Sequence, residues 1–568
     1  MFFSRIVFFV LLFALCCVAN SADNFSVIQR LPKPDVKLTQ GDVRVLVILV
    51  EFADVRFKNP DPVSQFTDYL NKEGYNEYHN IGSVRDYFIK NSMGKFRPIF
   101  DVYGPVTLPG MRDSYGTTIN ERDYTPARLA VSQALDSLLK LGVDFSQYDK
   151  DGDGCVEYVF MVYAGIAGMN LSNEKTIWPH AGYFGEPFIK KTGKKVDENL
   201  FIDRYACANE ISLKAYERDK STSVLNGIGV FVHEFSHLFG FPDFYSTSGN
   251  KTLGSWSVMD DGSHNCPSNG DFVENCTPPL YSAFERMSMG WFTPIEIKNN
   301  GKIQLNKLDD NIAYSITNPE NPDEMYLLEY RTNKGWDIGQ ESSGMLIWHI
   351  DYVDSNWHGN LVNGRVNHMH VDIIEAAEDP VDVLNSETSP YDVFPGKGNV
   401  TEFKDFVFWN GLDMNITLSD ITETPDKEYV TFNLTMGEPF MRALSSSSSL
   451  LSSSSFDVFP VLSSGLWTPY SSPLSFVRED SIISIASSKT SMRQASVISQ
   501  NGTVHVTTPL QGLKKVRMFS PNGQLLYETS MDGTELQFPW PRHLGAQNVI
   551  LTVSQGKKNL YMGIVNGH

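Results

Sequence analysis

The chain has 568 residues and a formal net charge of −20, and its 41% hydrophobic and 20% charged residues are ordinary for a folded soluble protein. This length exceeds what one hydrophobic core usually supports, so two or three domains are expected. The acidic balance argues against a nucleic-acid-binding protein, because phosphate contacts require clustered lysine and arginine.

The N-terminus has the layout of a secretory signal peptide. Arg5 supplies a basic charge, residues 6–18 are almost wholly apolar, and small residues follow at 19–22. The apolar run is short for a membrane span, and no later stretch is long and apolar enough to cross a bilayer. We therefore expect 1–21 to be a signal peptide and 22–42 a short pro-region or N-terminal extension. The mature protein is expected to be secreted, in the extracellular medium or at the cell surface.

The cysteines fit the same compartment. A lipoprotein attached through Cys16 or Cys17 is an alternative, but the residues before them form a poor lipobox. Removal of the signal peptide leaves four cysteines: Cys155, Cys207, Cys266 and Cys276. In an oxidising compartment they allow two disulfides in three pairings. Cys266 and Cys276 flank a Gly/Asn-rich loop and are the pair we expect, while free thiols at the other two positions stay open.

The first half of the chain alternates predicted strands and helices. Residues 43–52 form a dense β-branched run typical of a buried strand, and 156–164 reads as a second one. A helix is predicted to begin at Val84 and end at 92–95, and an amphipathic helix is predicted over 124–141. This alternation indicates an α/β (α+β) catalytic domain, which we place at residues 43–300.

The second half is different in pattern. Residues 301–440 contain short alternating runs separated by Asn, Gly, Asp and Pro, which predicts a β-rich companion region. Residues 441–498 are Ser-rich and read as a flexible linker. Residues 499–568 again show short strands, with a turn at 521–523, and predict a small C-terminal β-sandwich.

One segment indicates a metal site. In His233-Glu234-Phe235-Ser236-His237 the two histidines are four residues apart, so on a helix their imidazoles share a face and converge on one metal. Glu234 then lies beside a zinc-activated water, as general base, and passes the proton to the leaving amine. The alternative is a chance occurrence on a solvent-facing helix.

The residues after this segment strengthen the zinc hypothesis. Gly240 can adopt a positive φ and end the helix, and Pro242 prevents its continuation. The turn would bring Asp243 back as the third protein ligand, although a turn or capping carboxylate is the alternative. Met259, in a tight turn further on, is expected to support the site from below.

Several dispersed motifs point to one family. The segment 233–243 is followed by Gly-Ser-Trp-Ser-Val-Met at 254–259 and preceded by the runs 45–52 and 83–88. Further motifs follow downstream, at 330–331, 334–337, 344–351 and 392–396. With these motifs the sequence resembles the immune inhibitor A family of secreted zinc metallopeptidases, over roughly residues 43–436. The resemblance implies a metzincin-like fold and endopeptidase activity on proteins or peptides. Family members often carry a long propeptide, unlike the short segment expected here.

An acidic loop indicates calcium. Asp149, Asp151 and Asp153 place carboxylates at alternate positions, glycines permit a sharp turn, and Glu157 offers a further oxygen. Phe160 occupies the twelfth loop position in place of glutamate, which argues against an EF-hand. We expect a structural calcium site, with a solvated acidic turn as the alternative.

Two further features leave hypotheses open. A second metal site is suggested by four histidines: His349, His358, His368 and His370. Residues 516–523 and 560–565 resemble the C-terminal sorting domains of Bacteroidetes secretion substrates, which would imply a secretion machinery as partner. The final residues 566–568 lack the expected basic ending, and an ordinary adhesion-like β-domain is the alternative.

The sequence therefore predicts a secreted zinc-dependent metalloendopeptidase, with His233, His237 and Asp243 as ligands and Glu234 as general base. One rival is a catalytically silent adhesion or binding protein on a metalloprotease scaffold, which the intact Glu234 disfavours. Another is a zinc amidase or esterase, which the family resemblance disfavours.

Overall fold

The computed structural model describes most of the chain between residues 38 and 442, and seven strands beyond it. The described residues are 38–117, 124–167, 175–187, 189–246, 252–267, 273–365, 368–377, 389–442, 496–500, 503–507, 513–519, 525–532, 534–539, 549–555 and 558–565. The predicted signal peptide and most of the predicted linker lie outside them. The chain divides into two compact units, Met1–Pro473 and Leu474–His568.

The first unit begins with a mixed β-sheet. Its strands are β1 (Gly41–Glu51), β2 (Phe96–Thr107), β3 (Val159–Tyr163), β4 (His180–Tyr183) and β7 (Arg204–Asn209), and a separate hairpin is formed by β5 (Lys194–Asp197) and β6 (Leu200–Ile202). The sheet order is β2-β1-β3-β7-β4. All neighbours are parallel except β4, which runs antiparallel to β7 at one edge.

Helices cover both faces of this sheet. They are α1 (Pro62–Asn71), α2 (Val84–Asn91), α3 (Thr125–Lys140), α4 (Leu213–Arg218), α5 (Ile228–Leu238) and α6 (Ala283–Ser288). Val45 and Val47 of β1 pack with α2 and α5 in one core, whereas Leu46 and Ile48 pack with α3 in another. Successive side chains of a strand point to opposite faces, so burial on both sides produces the continuous apolar run seen in the sequence.

The remainder of the first unit is rich in strands. They are β8 (Ile295–Glu296), β9 (Gly301–Asn306), β10 (Tyr314–Thr317), β11 (Glu324–Arg331), β12 (Gly344–Asp351), β13 (Val371–Ile373), β14 (Leu412–Asp413), β15 (Ile416–Glu423), β16 (Tyr429–Met436) and β17 (Phe440–Met441), with the short helix α7 (Asp354–His358) between β12 and β13. They form a five-stranded sheet of order β13-β12-β11-β10-β8, a three-stranded sheet β15-β16-β9 and the pair β14-β17.

The five-stranded companion sheet shares its core with the helix-covered mixed sheet of residues 41–292. Leu346 and Trp348 of β12 belong to the same apolar cluster as α5, while the intervening Ile347 faces the β15–β16 sheet. The companion region is therefore packed into the first region by one face of its central strands.

A buried ion-pair network joins the same two regions. Arg331 at the end of β11 is fully buried and pairs with Asp337 and Glu329. It also donates to the carbonyl oxygens of Leu280, at 3.1 Å, and Trp256, at 3.5 Å. Because an unpaired buried guanidinium is very costly, this network fixes the two regions in one arrangement.

The structure contains the expected disulfide between Cys266 and Cys276, and the prediction of that pair is confirmed. Cys155 and Cys207 are buried free thiols. Among the described residues, no helix has both the length and the apolar character that a membrane crossing requires.

The second unit consists of antiparallel strands in its described parts. They are β18 (Ser496–Gln500), β19 (Thr503–Thr507), β20 (Leu513–Phe519), β21 (Leu525–Asp532), β22 (Glu535–Pro539), β23 (Val549–Gln555) and β24 (Lys558–Val565). They form one sheet of order β18-β19-β22 and another of order β21-β20-β23-β24.

Candidate metal centre

Helix α5 carries two imidazoles that face the same point. His233 and His237 lie one turn apart on a helix whose residues are all buried, and their ring centroids are 4.9 Å apart. His233 Nδ1 is 2.7 Å from the carbonyl oxygen of Val258, and His237 Nδ1 is 2.7 Å from that of Phe241. A carbonyl only accepts, so in the neutral imidazole each Nδ1 carries the proton and each Nε2 keeps its lone pair. This is the tautomer and orientation that a metal-binding histidine requires.

The helix ends as the glycine predicted. Gly240 has φ +100°, and its N–H donates to the carbonyl of His237 at 2.9 Å. The N–H of Phe241 donates to the carbonyl of Ser236 at 3.4 Å, which completes a Schellman motif. A side chain at position 240 would strain this backbone. The turn reverses the chain and brings Asp243 towards the two imidazoles.

Asp243 completes the group of converging atoms. Its Oδ1 lies 3.3 Å from Nε2 of both His233 and His237. This oxygen is buried and, within the part of the chain that the structure describes, receives no hydrogen bond. Two imidazole nitrogens and one carboxylate oxygen, with an orphaned buried oxygen among them, fit a zinc ion with three protein ligands. The structure thus brings together the three residues that the motif predicted.

Glu234 lies at the edge of this group. Its Oε2 is 4.0 Å from His237 Nε2, and its side chain is almost fully buried. Burial raises the pKa of Glu234 to about 8, with His233 lowering it and Asp243 raising it. For Asp243 burial also raises the pKa, but contact with His237 and His233, which are positively charged whenever Nε2 is protonated as well, outweighs this and holds the pKa well below its ordinary value. Two carboxyl groups in one pocket therefore differ in proton affinity, as a base and a ligand should.

The predicted methionine turn underlies the same helix. Met259 is fully buried, and its carbonyl accepts a hydrogen bond from the N–H of Phe244 at 2.8 Å. The preceding carbonyl, of Val258, is the one that orients His233. The turn thus orients the candidate ligand His233 and also holds the loop at Phe244, next to Asp243.

Side chains from the companion region hold the ligand loop from the other side. Asn360 accepts from the Asp243 N–H at 2.7 Å and donates from Nδ2 to Asp243 Oδ2 at 2.8 Å. Trp357 Nε1 donates to the carbonyl of Gly240 at 2.9 Å, and Asn363 Nδ2 donates to that of Phe244 at 2.8 Å. We call residues 357–363 the ligand clamp. With Oδ2 occupied by Asn360, the other carboxylate oxygen is turned towards the imidazoles.

The ligand clamp was missed by the sequence reasoning. Asn360 follows Asp243 by 117 positions and stands in an Asn- and Gly-rich stretch that resembles an ordinary loop. In the structure Asn360 has a φ of 53°, as asparagine often has in turns. Nothing in the sequence indicated its contact with Asp243.

The acidic loop is only partly assembled as expected. Carboxylate oxygens of Asp149, Asp151 and Glu157 lie within 4.8 Å of one another. Asp153 instead forms an ion pair with Lys190 and accepts from the Cys155 N–H at 2.8 Å. Burial raises the pKa of Glu157 to about 7. The structure thus brings three of the four predicted carboxylates together.

Comparison with known proteins agrees with these motifs. Residues 35–292 match the family model described as "Immune inhibitor A peptidase M6, catalytic domain". The chain is 26% identical over 304 residues to "Immune inhibitor A" of Bacillus thuringiensis subsp. alesti, covering 46% of this chain and 43% of that protein. It is also 26% identical over 281 residues to a protein of Arthroderma benhamiae named "Putative secreted metallopeptidase", covering 43% and 39%.

The matches have defined limits. The chain spans less than half the length of either of these curated relatives. The downstream motifs at 330–351 and 392–396 lie beyond the range of the family model. Within that range stand the strand β1, the helix α5 and every residue of the predicted zinc site. The resemblance drawn from the motifs is thereby confirmed for residues 35–292, which are similar to the catalytic domain of the immune inhibitor A (peptidase M6) family.

Proposed function

We propose that this protein is a secreted, zinc-dependent metalloendopeptidase with a metzincin-like catalytic domain. The observation that carries the proposal is the convergence of His233, His237 and Asp243 beside the carboxyl of Glu234. The arrangement lies in the region that matches a peptidase family, and one relative is named as a secreted metallopeptidase.

The mechanism follows from what each side chain can do. His233, His237 and Asp243 would hold the zinc ion, which when bound supplies Lewis acidity to a water molecule and to a peptide carbonyl. Glu234 accepts a proton from the attacking water and later delivers it to the leaving amine. Because Glu234 is buried beside the ligands and is not itself a ligand, its carboxyl stays available for both transfers.

Support for this centre comes from residues outside the candidate ligand set. The Met259 turn and the ligand clamp hold His233 and Asp243 through backbone and amide hydrogen bonds. Such partners keep the ligands in place before metal and substrate arrive, which reduces the reorganisation needed for catalysis. Met259 is proposed as a structural support and not as a ligand.

Calcium and export complete the proposal. We assign a structural calcium ion to Asp149, Asp151 and Glu157, with Asp153 as a further candidate ligand. Chelation of calcium at constant free zinc should then lower the melting temperature, and an unchanged melting curve would contradict the assignment. The C-terminal unit is proposed as a β-sandwich that engages a secretion machinery.

The proposal is tested by digestion of casein with the purified chain and with Glu234→Gln. The variant should bind as much zinc as the unchanged chain, because the three ligands remain. Its rate of hydrolysis should fall by about 10²–10⁴-fold, the usual contribution of a general base. Addition of a zinc chelator to the unchanged chain should also abolish cleavage, and zinc should restore it.

Two outcomes would contradict the proposal. Full activity of Glu234→Gln would exclude the mechanism. Zinc binding without any cleavage of casein or of a peptide library would favour the catalytically silent binding protein.

A further inference from the structure

A second group of metal-ligating side chains lies in the companion region, at the edge of its five-stranded sheet. Asp351 is the last residue of β12, and His370 immediately precedes the neighbouring strand β13. The two are adjacent because the Asp351 N–H donates to the carbonyl of His370 at 2.9 Å. His368 stands two residues before His370, and both imidazoles face the Asp351 carboxylate.

The distances within this group are short. Asp351 Oδ2 lies 2.7 Å from His368 Nε2 and 3.2 Å from His370 Nδ1. The carbonyl oxygen of Asp351 is a further 2.8 Å contact of His370 Nδ1. One ligand atom from each of the three side chains lies within 4.8 Å of the others, as in the centre on α5. Two imidazole nitrogens and one carboxylate oxygen therefore lie close enough together to share one ion.

The surroundings suit an ion that enters from solvent and is then held. Asp351 and His370 are buried, whereas the side chain of His368 is 37% exposed and gives access to the group. The His368 ring is fixed by stacking on Trp409, at 4.0 Å between centroids. The structure therefore has, without an ion, both a buried carboxylate at Asp351 and a solvent-accessible imidazole at His368.

A partner is also in place for the far side of one imidazole. The side-chain amide of Asn356 lies 2.6 Å from His370 Nε2. Rotation of this amide by half a turn places its oxygen there, where it accepts an N–H from Nε2. Without a metal, Nδ1 carries the proton and donates to the Asp351 carbonyl oxygen, as at His233 and His237. Metal binding at Nδ1 would displace this proton, and the rotated amide would then accept the proton carried on Nε2. Amide and carbonyl acceptors behind the imidazole are the usual partners of metal-binding histidines.

We propose that Asp351, His368 and His370 form a second zinc-binding site in this protein, separate from the centre on α5. The donor set of imidazole nitrogens and a carboxylate selects a divalent transition ion, since calcium and magnesium prefer oxygen ligands alone. Three protein ligands leave the remaining coordination position to water, on the side where His368 is exposed. Bound zinc there would tie β12 to β13 across the residues that lead into the ligand clamp.

The test is the zinc content of the purified full chain in a Glu234→Gln background, which prevents self-digestion. The protein is equilibrated with buffered zinc, desalted and measured by mass spectrometry of the metal. We expect two zinc ions per chain, one after His368→Ala, one after His237→Ala, and none in the double variant. The matched control is His358→Ala, whose exposed imidazole pairs with Asp354 outside the group and whose loss should leave two ions bound.

Thermal melting provides a second readout if a variant folds poorly. His368→Ala should lower the melting temperature in buffered zinc and leave it nearly unchanged in chelator. An equal decrease in both conditions would show a hydrogen-bonded cluster alone and overturn the proposal. So would an unchanged zinc content in His368→Ala. Failure of the catalytic proposal is seen separately, as zinc retained by His237→Ala.

Discussion

The regions 41–292 and 295–441 contribute different things to the same metal centre. The first supplies all three candidate ligands and the proposed base Glu234, on α5 and the loop that follows it. The second supplies no ligand to that centre among its described residues, but Asn360 and Trp357 fix the loop, and Arg331 joins the regions through a buried ion pair. Chemistry and rigidity thus come from separate parts of one folded unit.

The family match includes the candidate ligands and the proposed base, but it does not include all the residues that hold them in place. Residue 292 ends the match, yet the orienting amide for Asp243 comes from residue 360. The Asn360 amide holds both the backbone N–H and the carboxylate of Asp243, so this carboxylate loses little conformational freedom when metal binds. The second region should therefore affect zinc affinity more than the proton-transfer step.

The largest expected effect is the loss of a ligand from the first region. Asp243→Ala removes the carboxylate that both imidazoles face, so zinc affinity should fall by more than the about 10–100-fold typical of an outer partner. Hydrolysis should fall with it, while the fold persists. Chelator competition and far-UV circular dichroism measure the two quantities. Unchanged zinc affinity would contradict the assignment of Asp243 as a ligand.

Loss of the buried ion pair in the second region should reduce stability and leave the chemistry intact. Asp337→Asn deprives buried Arg331 of its main partner, and the free energy of unfolding should fall by about 3–5 kcal/mol. Urea unfolding in the Glu234→Gln background measures it. The control, Glu296→Gln, breaks an exposed pair with Lys298 and should change stability by less than about 1 kcal/mol. An equal decrease in the free energy of unfolding in both variants would show that the Arg331 ion pair does not stabilise the contact between the regions.

The first region should also carry a distinct pH dependence. Burial raises the pKa of Glu210 to about 7, despite the N–H groups of Gly165 and Lys58 that lower it. The folded state therefore binds the proton more tightly than the unfolded state, and stability should decrease between pH 4.5 and 7, by up to about 3 kcal/mol.

This pH dependence is measured by urea unfolding in chelator, so that zinc binding does not contribute. Glu210→Gln should reduce the slope by the contribution of this one group, because the raised pKa values of Glu157 and Glu234 still contribute. The exposed control Glu217→Gln should leave the slope unchanged. A profile that keeps its slope in Glu210→Gln would assign the dependence to another group.

The smallest effect should come from the ligand clamp. Asn360→Gly removes the amide but tolerates the positive φ, so a decrease in zinc affinity of about 10–100-fold would report the lost hydrogen bonds and not backbone strain. The absorption spectrum of the cobalt-substituted protein should shift as well. Asn399→Gly, at an exposed residue of similar φ, is the control and should change neither. Wild-type affinity in Asn360→Gly would show that the second region is dispensable for the ligands.

The local features of the site could be predicted because their causes are local. The spacing of His233 and His237 sets their common face, and Gly240 ends the helix within one turn of them. The same holds for the elements: the strand predicted at 43–52 is Gly41–Glu51, and the helix predicted at 124–141 is Thr125–Lys140. Hydrophobic periodicity and helix capping depend on residues a few positions apart, so both can be recognised in the sequence.

The parts that could not be predicted depend on distant pairings. No local pattern distinguishes an asparagine that bonds 117 positions away from one in an ordinary turn. The alternating carboxylates of the acidic loop likewise gave no sign that Asp153 would pair with Lys190. The same limit applies to Asp351 and His368, which are separated in sequence and adjacent only because β12 and β13 pair.

The ligand clamp is synthesised later than the candidate ligands that it holds. Chains fold from the N-terminus during synthesis, so α5 and Asp243 leave the ribosome well before Asn360 and Asn363. Until Trp357, Asn360 and Asn363 have been synthesised, the Gly240–Phe244 loop lacks three of the side-chain hydrogen-bond donors that hold it. A nascent chain that already contains all the candidate reacting groups therefore still lacks part of the hydrogen bonding that holds Asp243, until residues 357–363 have been synthesised and have folded.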